Sequence, residues 1–104
     1  MKIFWTEIAI VELKSIYKYY KVHASIEIAK RIQQSILNRT LQLTTHPDSG
    51  QVEPNLEDLK QDHRYLVEGH VKIIYRIINS SIFITDIFDT RQDPDKMLQP
   101  RSGR

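Results

Sequence analysis

Four cationic side chains, Arg64, Lys72, Arg76 and Arg91, fall in the C-terminal part of the 104-residue chain. A guanidinium presents a planar fork of donors that fits phosphate or carboxylate, and converging cations can stabilise a phosphoryl transition state without a metal ion. Lys72 and Arg76 are an even number of residues apart, so on one strand they share a face. Arg64 joins them only if the register of its own strand permits. The competing reading is structural: Arg64 and Arg76 pair with Glu68, Asp86 or Asp89, and Arg91 pairs with Asp93 or Asp95 close behind it.

Other chemistries are poorly supplied. His23, His46, His63 and His70 have neither i,i+4 spacing nor the HExxH form, so no metal site is expected. Histidine is the side chain suited to proton transfer near neutral pH, and His63 flanks Arg64. Asp86 and Asp89 are an odd number of residues apart and face opposite sides of an unbroken strand, so they cannot share a water in the manner of a glycosidase pair. The chain has no cysteine and only three glycines, with no nucleophile elbow, glycine-rich loop or P-loop. Thiolate chemistry is excluded, and no cofactor is expected.

The elements that must position these residues are legible as periods. "KIFW" at 2–5 reads as a short strand, followed by Thr6 as a helix N-cap and Glu7 in the first turn. Ala9, Leu13, Ile16, Tyr17 and Tyr20 recur at helical spacing, with Lys14, Lys18 and Lys21 off that face, and the helix should end at 21–23. Ser25 caps a second helix whose apolar face is Ala29, Ile32, Ile36, Thr40 and Leu43. "HPDSG" at 46–50 stops it, because Pro47 restricts His46 and Gly50 permits a turn. Residues 51–62 read as a loop with one helical turn around 55–59. The period then becomes two over "HRYLVEG", "HVKIIYRII" and "SIFITDIFD", whose short links permit only an antiparallel meander. The expected class is α+β in the order β-α-α-β-β-β, a helical hairpin packed on a twisted antiparallel sheet, with the first strand added to an edge. The second sheet face should be a partly apolar, partly basic concave surface. Residues 1–98 make one domain, and 99–104 read as a flexible tail.

Net charge is +2, but its distribution says more than its sum. Residues 1–46 hold seven Lys or Arg against three Glu, residues 47–70 two against six acidic, and residues 71–104 six against four. A basic helical part and basic strands thus flank an acidic connection, which favours a polar protein partner over general adhesion to phosphate backbones. No apolar run approaches the ~20 residues that cross a bilayer, and the first residues do not read as a signal peptide. The expected location is cytoplasmic, without a membrane partner.

In order and spacing the chain resembles the RelE/ParE superfamily of bacterial type II toxin–antitoxin toxins. The resemblance runs from residue 1 to about 98, through "TEIAIVELKSIYKYY", "HPDSG", Arg64 at a strand start, "IIYRI" at 73–77 and "DTRQDPDK" after the final strand. It implies a cognate antitoxin partner, and one of two activities. One branch cleaves messenger RNA on the ribosome with basic residues and a His, Tyr or Glu; here Arg64, Lys72, Arg76, Arg91 and His63 would serve. The other, ParE-like branch poisons DNA gyrase without cleaving nucleic acid. A nuclease-like member tends to place a histidine or tyrosine after this strand, where the chain has Asp89 and Thr90. A carboxylate repels the scissile phosphate, and a threonine hydroxyl is too weak an acid to protonate a leaving group. The resemblance therefore favours the ParE-like branch. Target or antitoxin contact would fall to Arg64, Arg76, Asp89 and Arg91, with Lys14, Lys18, Lys21, Lys30 and Arg31 as a basic rim on the helices. A ribosome-dependent nuclease and a non-toxic binding module are the alternatives.

Overall fold

The computed structural model describes residues 1–99. Strand β1 (Lys2–Trp5) leads into helix α1 (Glu7–His23) and helix α2 (Ile26–Leu41), then β2 (Gln51–Val52), β3 (Arg64–Glu68), β4 (Val71–Ile78) and β5 (Ser81–Asp89). Both helices start as their caps dictate. The Thr6 hydroxyl accepts from Ala9 N at 3.2 Å and the Ser25 hydroxyl from Ile28 N at 3.1 Å. Among the described residues there are also three 3-10 turns, at Gln42–Thr44, Pro54–Leu59 and Pro94–Met97.

The sheet runs β1-β5-β4-β3-β2. As expected, β3, β4 and β5 form an antiparallel meander and β1 adds to its edge, although it lies parallel to β5, with Lys2 opposite Ser81. The β4–β5 link has Asn79 and Ser80 both at positive φ, 49° and 62°, the backbone hand that matches strand twist in a two-residue hairpin. The two-residue β2 has no counterpart in the sequence reading; it pairs with β3 through Gln51 and Val52, too short to show a period.

The helical hairpin covers one face of the sheet. Ala9, Leu13 and Ile36 pack with Leu66, Val71, Ile73, Tyr75, Ile82, Ile84 and Ile87 into the main core. Tyr75 is fully buried there, and its hydroxyl donates to Pro47 O at 2.7 Å and accepts from Gly50 N at 2.9 Å. That contact explains Gly50 better than turn formation does: a Cβ there would lie 2.5 Å from the Tyr75 hydroxyl and 2.9 Å from Tyr65 O.

The second face was expected to be a partly apolar, partly basic concave surface, and its central apolar part is covered. Its centre is roofed by the two later 3-10 turns, which bring Leu56 and Met97 onto Ile74, Phe88 and Tyr65 in a small second core. Alternation along β5 is broken once. Ile74 lies opposite Asp86 but Tyr75 opposite Ile84, so Thr85 is an extra residue, a bulge. The expected tail beyond residue 98 falls mostly on residues 100–104, outside the described residues.

Candidate binding site at the end of the closing strand

The four cations do not converge. Arg64 lies opposite Tyr75, on the helix side of the sheet, while Lys72 and Arg76 project from the other side. Arg64 Nη1 donates to Gly50 O at 2.9 Å and borders an open cavity of about 370 Å³ with Val52, Asp62 and Ile77. Lys72 Nζ sits 2.8 Å from Oε1 of the fully buried Glu53 and 4.2 Å from the centre of the Tyr65 ring. Arg76 Nε donates to Gln61 O at 2.9 Å. Arg91 is remote from these: Phe83, opposite Arg76, is six residues from Asp89, or ~20 Å along the strand. The structural reading of the arginines was thus right in kind and wrong in partner. Arg64 and Arg76 hold loop carbonyls rather than carboxylates.

His63 is buried beneath the second face, and its Nδ1 has no hydrogen-bond partner among the described residues. Desolvation, then the neighbouring Arg76, push its pKa below the ordinary histidine value, outweighing Glu53 and Asp62, so the ring is neutral at pH 7.

Asp89 and Arg91 build the best-formed site. Arg91 Nε and Nη2 fork onto the two carboxylate oxygens of Asp89 at 3.0 and 2.7 Å, and Arg91 N donates to Asp89 Oδ1 at 2.9 Å. Arg91 Nη2 also reaches the Tyr20 hydroxyl at 3.4 Å, tying the end of β5 to α1. The hydrogen bond from Arg91 holds the Asp89 carboxyl below the usual carboxylate range. Thr90 fixes the turn by donating to His70 O through both its N–H and its hydroxyl, at 2.8 and 2.9 Å. Arg91 thus pairs with Asp89, not with Asp93 or Asp95, because the turn folds its side chain back along the strand.

A cavity of about 310 Å³ opens at this corner between α1 and the end of β5, walled by Ile16, Tyr19, Tyr20 and Ile87 with Glu12, Asp89 and Arg91 at its polar side. Tyr20 is shared with a second cavity of about 210 Å³, mostly apolar, which Ile32, Ile36 and Val71 line together with Arg31. Together they form a groove along the seam between helical hairpin and sheet. Its apolar walls and the mutually satisfied Asp89–Arg91 pair suit a polypeptide.

Of the helix cations, Arg31 lines the groove, while Lys14, Lys18, Lys21 and Lys30 are exposed on the helices. The sequence reading placed Tyr20 on the apolar face of α1 and assigned it no contact. The available signal was a tyrosine at the end of that face, whose hydroxyl must reach a polar partner when the ring is covered. No group of three or more His, Asp or Glu among the described residues could hold a metal ion.

Comparisons with known proteins bear on this geometry. The family model of the ParE toxin of the type II toxin–antitoxin system parDE matches residues 3–94. Among solved structures, the chromosomal ParDE toxin–antitoxin system from P. aeruginosa is similar at a TM-score of 0.70 and 23% identity, covering 86% of this chain and 95% of that one. That likeness extends the agreement in fold. No curated protein sequence matches. By the family match over nearly its whole described length, the chain belongs to the ParE toxin family of type II toxin–antitoxin systems.

Proposed function

We propose that the protein is the toxin of a type II module, that it inhibits DNA gyrase by binding it rather than by cleaving nucleic acid, and that a cognate antitoxin neutralises it. It would act in the cytoplasm, where gyrase works, and no helix among the described residues is long and apolar enough to cross a membrane. The observation that carries this reading is the dispersal of Arg64, Lys72, Arg76 and Arg91. Each is engaged by its own neighbour, and the four do not converge on a common point. Catalysis of phosphoryl transfer needs such convergence, because it acts by positioning and by stabilising developing charge. Protein binding does not.

The groove at Tyr20 and Arg91 is the surface assigned to the antitoxin. A polypeptide segment laid there meets apolar walls at Ile16 and Ile32 and the exposed guanidinium edge of Arg91, with Arg31 at the other end. Two measurements test the function. Purified protein should suppress supercoiling by gyrase, and induced expression should raise a DNA-damage response. Cleavage of ribosome-bound messenger RNA with gyrase untouched overturns the reading in favour of the nuclease; normal growth and active gyrase leave a binding module. Tyr20→Ala should weaken antitoxin affinity at least tenfold, and unchanged affinity moves the antitoxin elsewhere.

A further inference from the structure

The sheet face turned away from the helical hairpin stays open where β4 turns into β5. Register sets six side chains there in two rows across three strands. Lys2, Ser81 and Ile78 form one row, and Phe4, Phe83 and Arg76 the other. Their alternates Ile82, Ile84 and Tyr75 belong to the main core, which fixes the face. No carboxylate occupies this patch, and its two charges are both positive. Lys2 and Phe4 are exposed, Phe4 at 46%, while Phe83 and Arg76 are half-buried. Arg76 engages Gln61 O through Nε, and its terminal nitrogens have no hydrogen-bond or ion-pair partner among the described residues. The Phe4 and Phe83 rings stack with centroids 5.3 Å apart and planes 21° apart. That separation is close to the ~4.8 Å between strands, so the rings stand face to face and turn their edges outward. Ring edges carry the positive side of the aromatic quadrupole. Cations and ring edges together give the patch one sign of potential over an apolar floor.

We infer that this patch docks an extended acidic segment of the protein the toxin inhibits. The inference rests on the reading that the toxin acts by binding a protein target. Lys2 and Arg76 stand on a diagonal, two residues along and two strands across, or ~12 Å apart. An extended chain puts residues i and i+4 ~13 Å apart on one side, with i+2 between them. The pattern that fits is therefore acid-x-apolar-x-acid, its carboxylates on Lys2 and Arg76 and its apolar side chain against Phe83. An arginine beside aromatic rings is the combination that anchors protein interfaces. Single-stranded nucleic acid stacks its bases on open ring faces, whereas the facing sides of these two rings cover each other. The antitoxin groove lies across the sheet, where Val71 and Ile87 turn toward the helical hairpin.

Two experiments with the full-length protein decide the matter. In an NMR titration, a capped pentapeptide with aspartate at both ends, leucine at the centre and serine between should shift the Phe4 and Phe83 ring signals. Its counterpart with asparagine at both ends should bind at least fivefold more weakly. Lys2→Glu combined with Phe4→Ser, both at exposed sites, should lower the potency of gyrase inhibition at least tenfold and leave antitoxin affinity within twofold. If the double variant also loses the antitoxin, its fold is damaged, and Lys2→Glu alone carries the comparison, with a loss of at least threefold. The docking face is refuted if neither peptide acts or both act equally. It is refuted too if oligothymidylate shifts the same rings at lower concentration, which gives the patch to nucleic acid. Ring signals that move with protein concentration alone give it to a second copy of the chain and overturn the proposal. Should the wild type bind the acidic peptide yet leave gyrase unaffected, the acid-binding patch stands and the gyrase reading falls. Equal potency of wild type and variant takes the patch out of the target interface.

Discussion

Lys72→Met separates a structural lysine from a phosphate-binding one. Glu53 is fully buried, and its Oε1 has the Lys72 ammonium 2.8 Å away, while Oε2 accepts from Asn55 N and Nδ2, both at 3.1 Å. Lys72 itself is largely covered, with 18% of its side chain exposed. Removing the cation alone leaves an uncompensated buried carboxylate, which costs about 3–5 kcal/mol. Against a total stability of about 5–15 kcal/mol for a domain, that is a large fraction. Even the lower figure should depress the melting temperature by roughly 12–24 °C, taking about 4–8 °C per kcal/mol for a domain of this size. Glu53→Gln combined with Lys72→Met removes both charges and keeps an acceptor for Asn55, so the double variant should recover to within about 1 kcal/mol of wild type. Urea unfolding at pH 7 measures both, as a shift of midpoint at constant slope. A loss below about 1 kcal/mol in the single variant, or a double variant no better than the single, would refute the assignment of Lys72 to Glu53. Toxicity in the cell supplies the functional half. The double variant should stay toxic, since the charge of Lys72 serves the fold; abolished toxicity in a well-folded double variant would return Lys72 to the target site.

Three further outcomes follow from single residues. Gly50→Ala drives a methyl into the fully buried Tyr75 and the Tyr65 carbonyl and should destabilise by about 3 kcal/mol, seen as a lower urea midpoint; Tyr75→Phe in the same chain should relieve part of it. Ser80→Gly removes a side chain from a left-handed position and should stabilise by about 0.5–1 kcal/mol in thermal melts. His63 makes stability depend on pH in a fixed direction. Its folded pKa is lowered by burial, so its contribution is complete above the unfolded value of 6.5 and is lost as pH falls from there through the folded value. The urea midpoint should therefore drop between pH 7.5 and 5.5, and His63→Leu should flatten that slope.

Much of the architecture was legible because it is written in short-range chemistry. Thr6 and Ser25 announce the helix starts, and Val71, Ile73 and Tyr75 declare the buried face of β4 by alternation. What escaped depends on register and on side chains meeting across the fold. Nothing local distinguishes Arg64 beside Tyr75 from Arg64 beside Arg76; one residue of register decides it. The roof over the second face escaped for a related reason. "QVEPNLEDLK" contributes Leu56 as its single buried apolar side chain, too few to show any period, yet that residue seals Ile74 and Phe88. At the site, the sequence singled out Asp89 and Arg91. It could not show that the turn would fold the guanidinium back onto the strand and against Tyr20, 71 residues earlier.

That long reach recurs at the sheet's edge, where it sets an order of events. Among the described residues strand β1 has its sheet partner in β5 alone, and Lys2 must wait for Ser81 before it can pair. At roughly 5–20 residues per second, a ribosome needs about 4–16 s to make the intervening chain. During that interval α1 and α2 can meet, since they are sequence neighbours, but the surface they cover does not yet exist. The groove beside Tyr20 closes only when the last strand arrives. A segment that binds there therefore meets the groove only after β5 has joined the sheet, never on the helical hairpin alone.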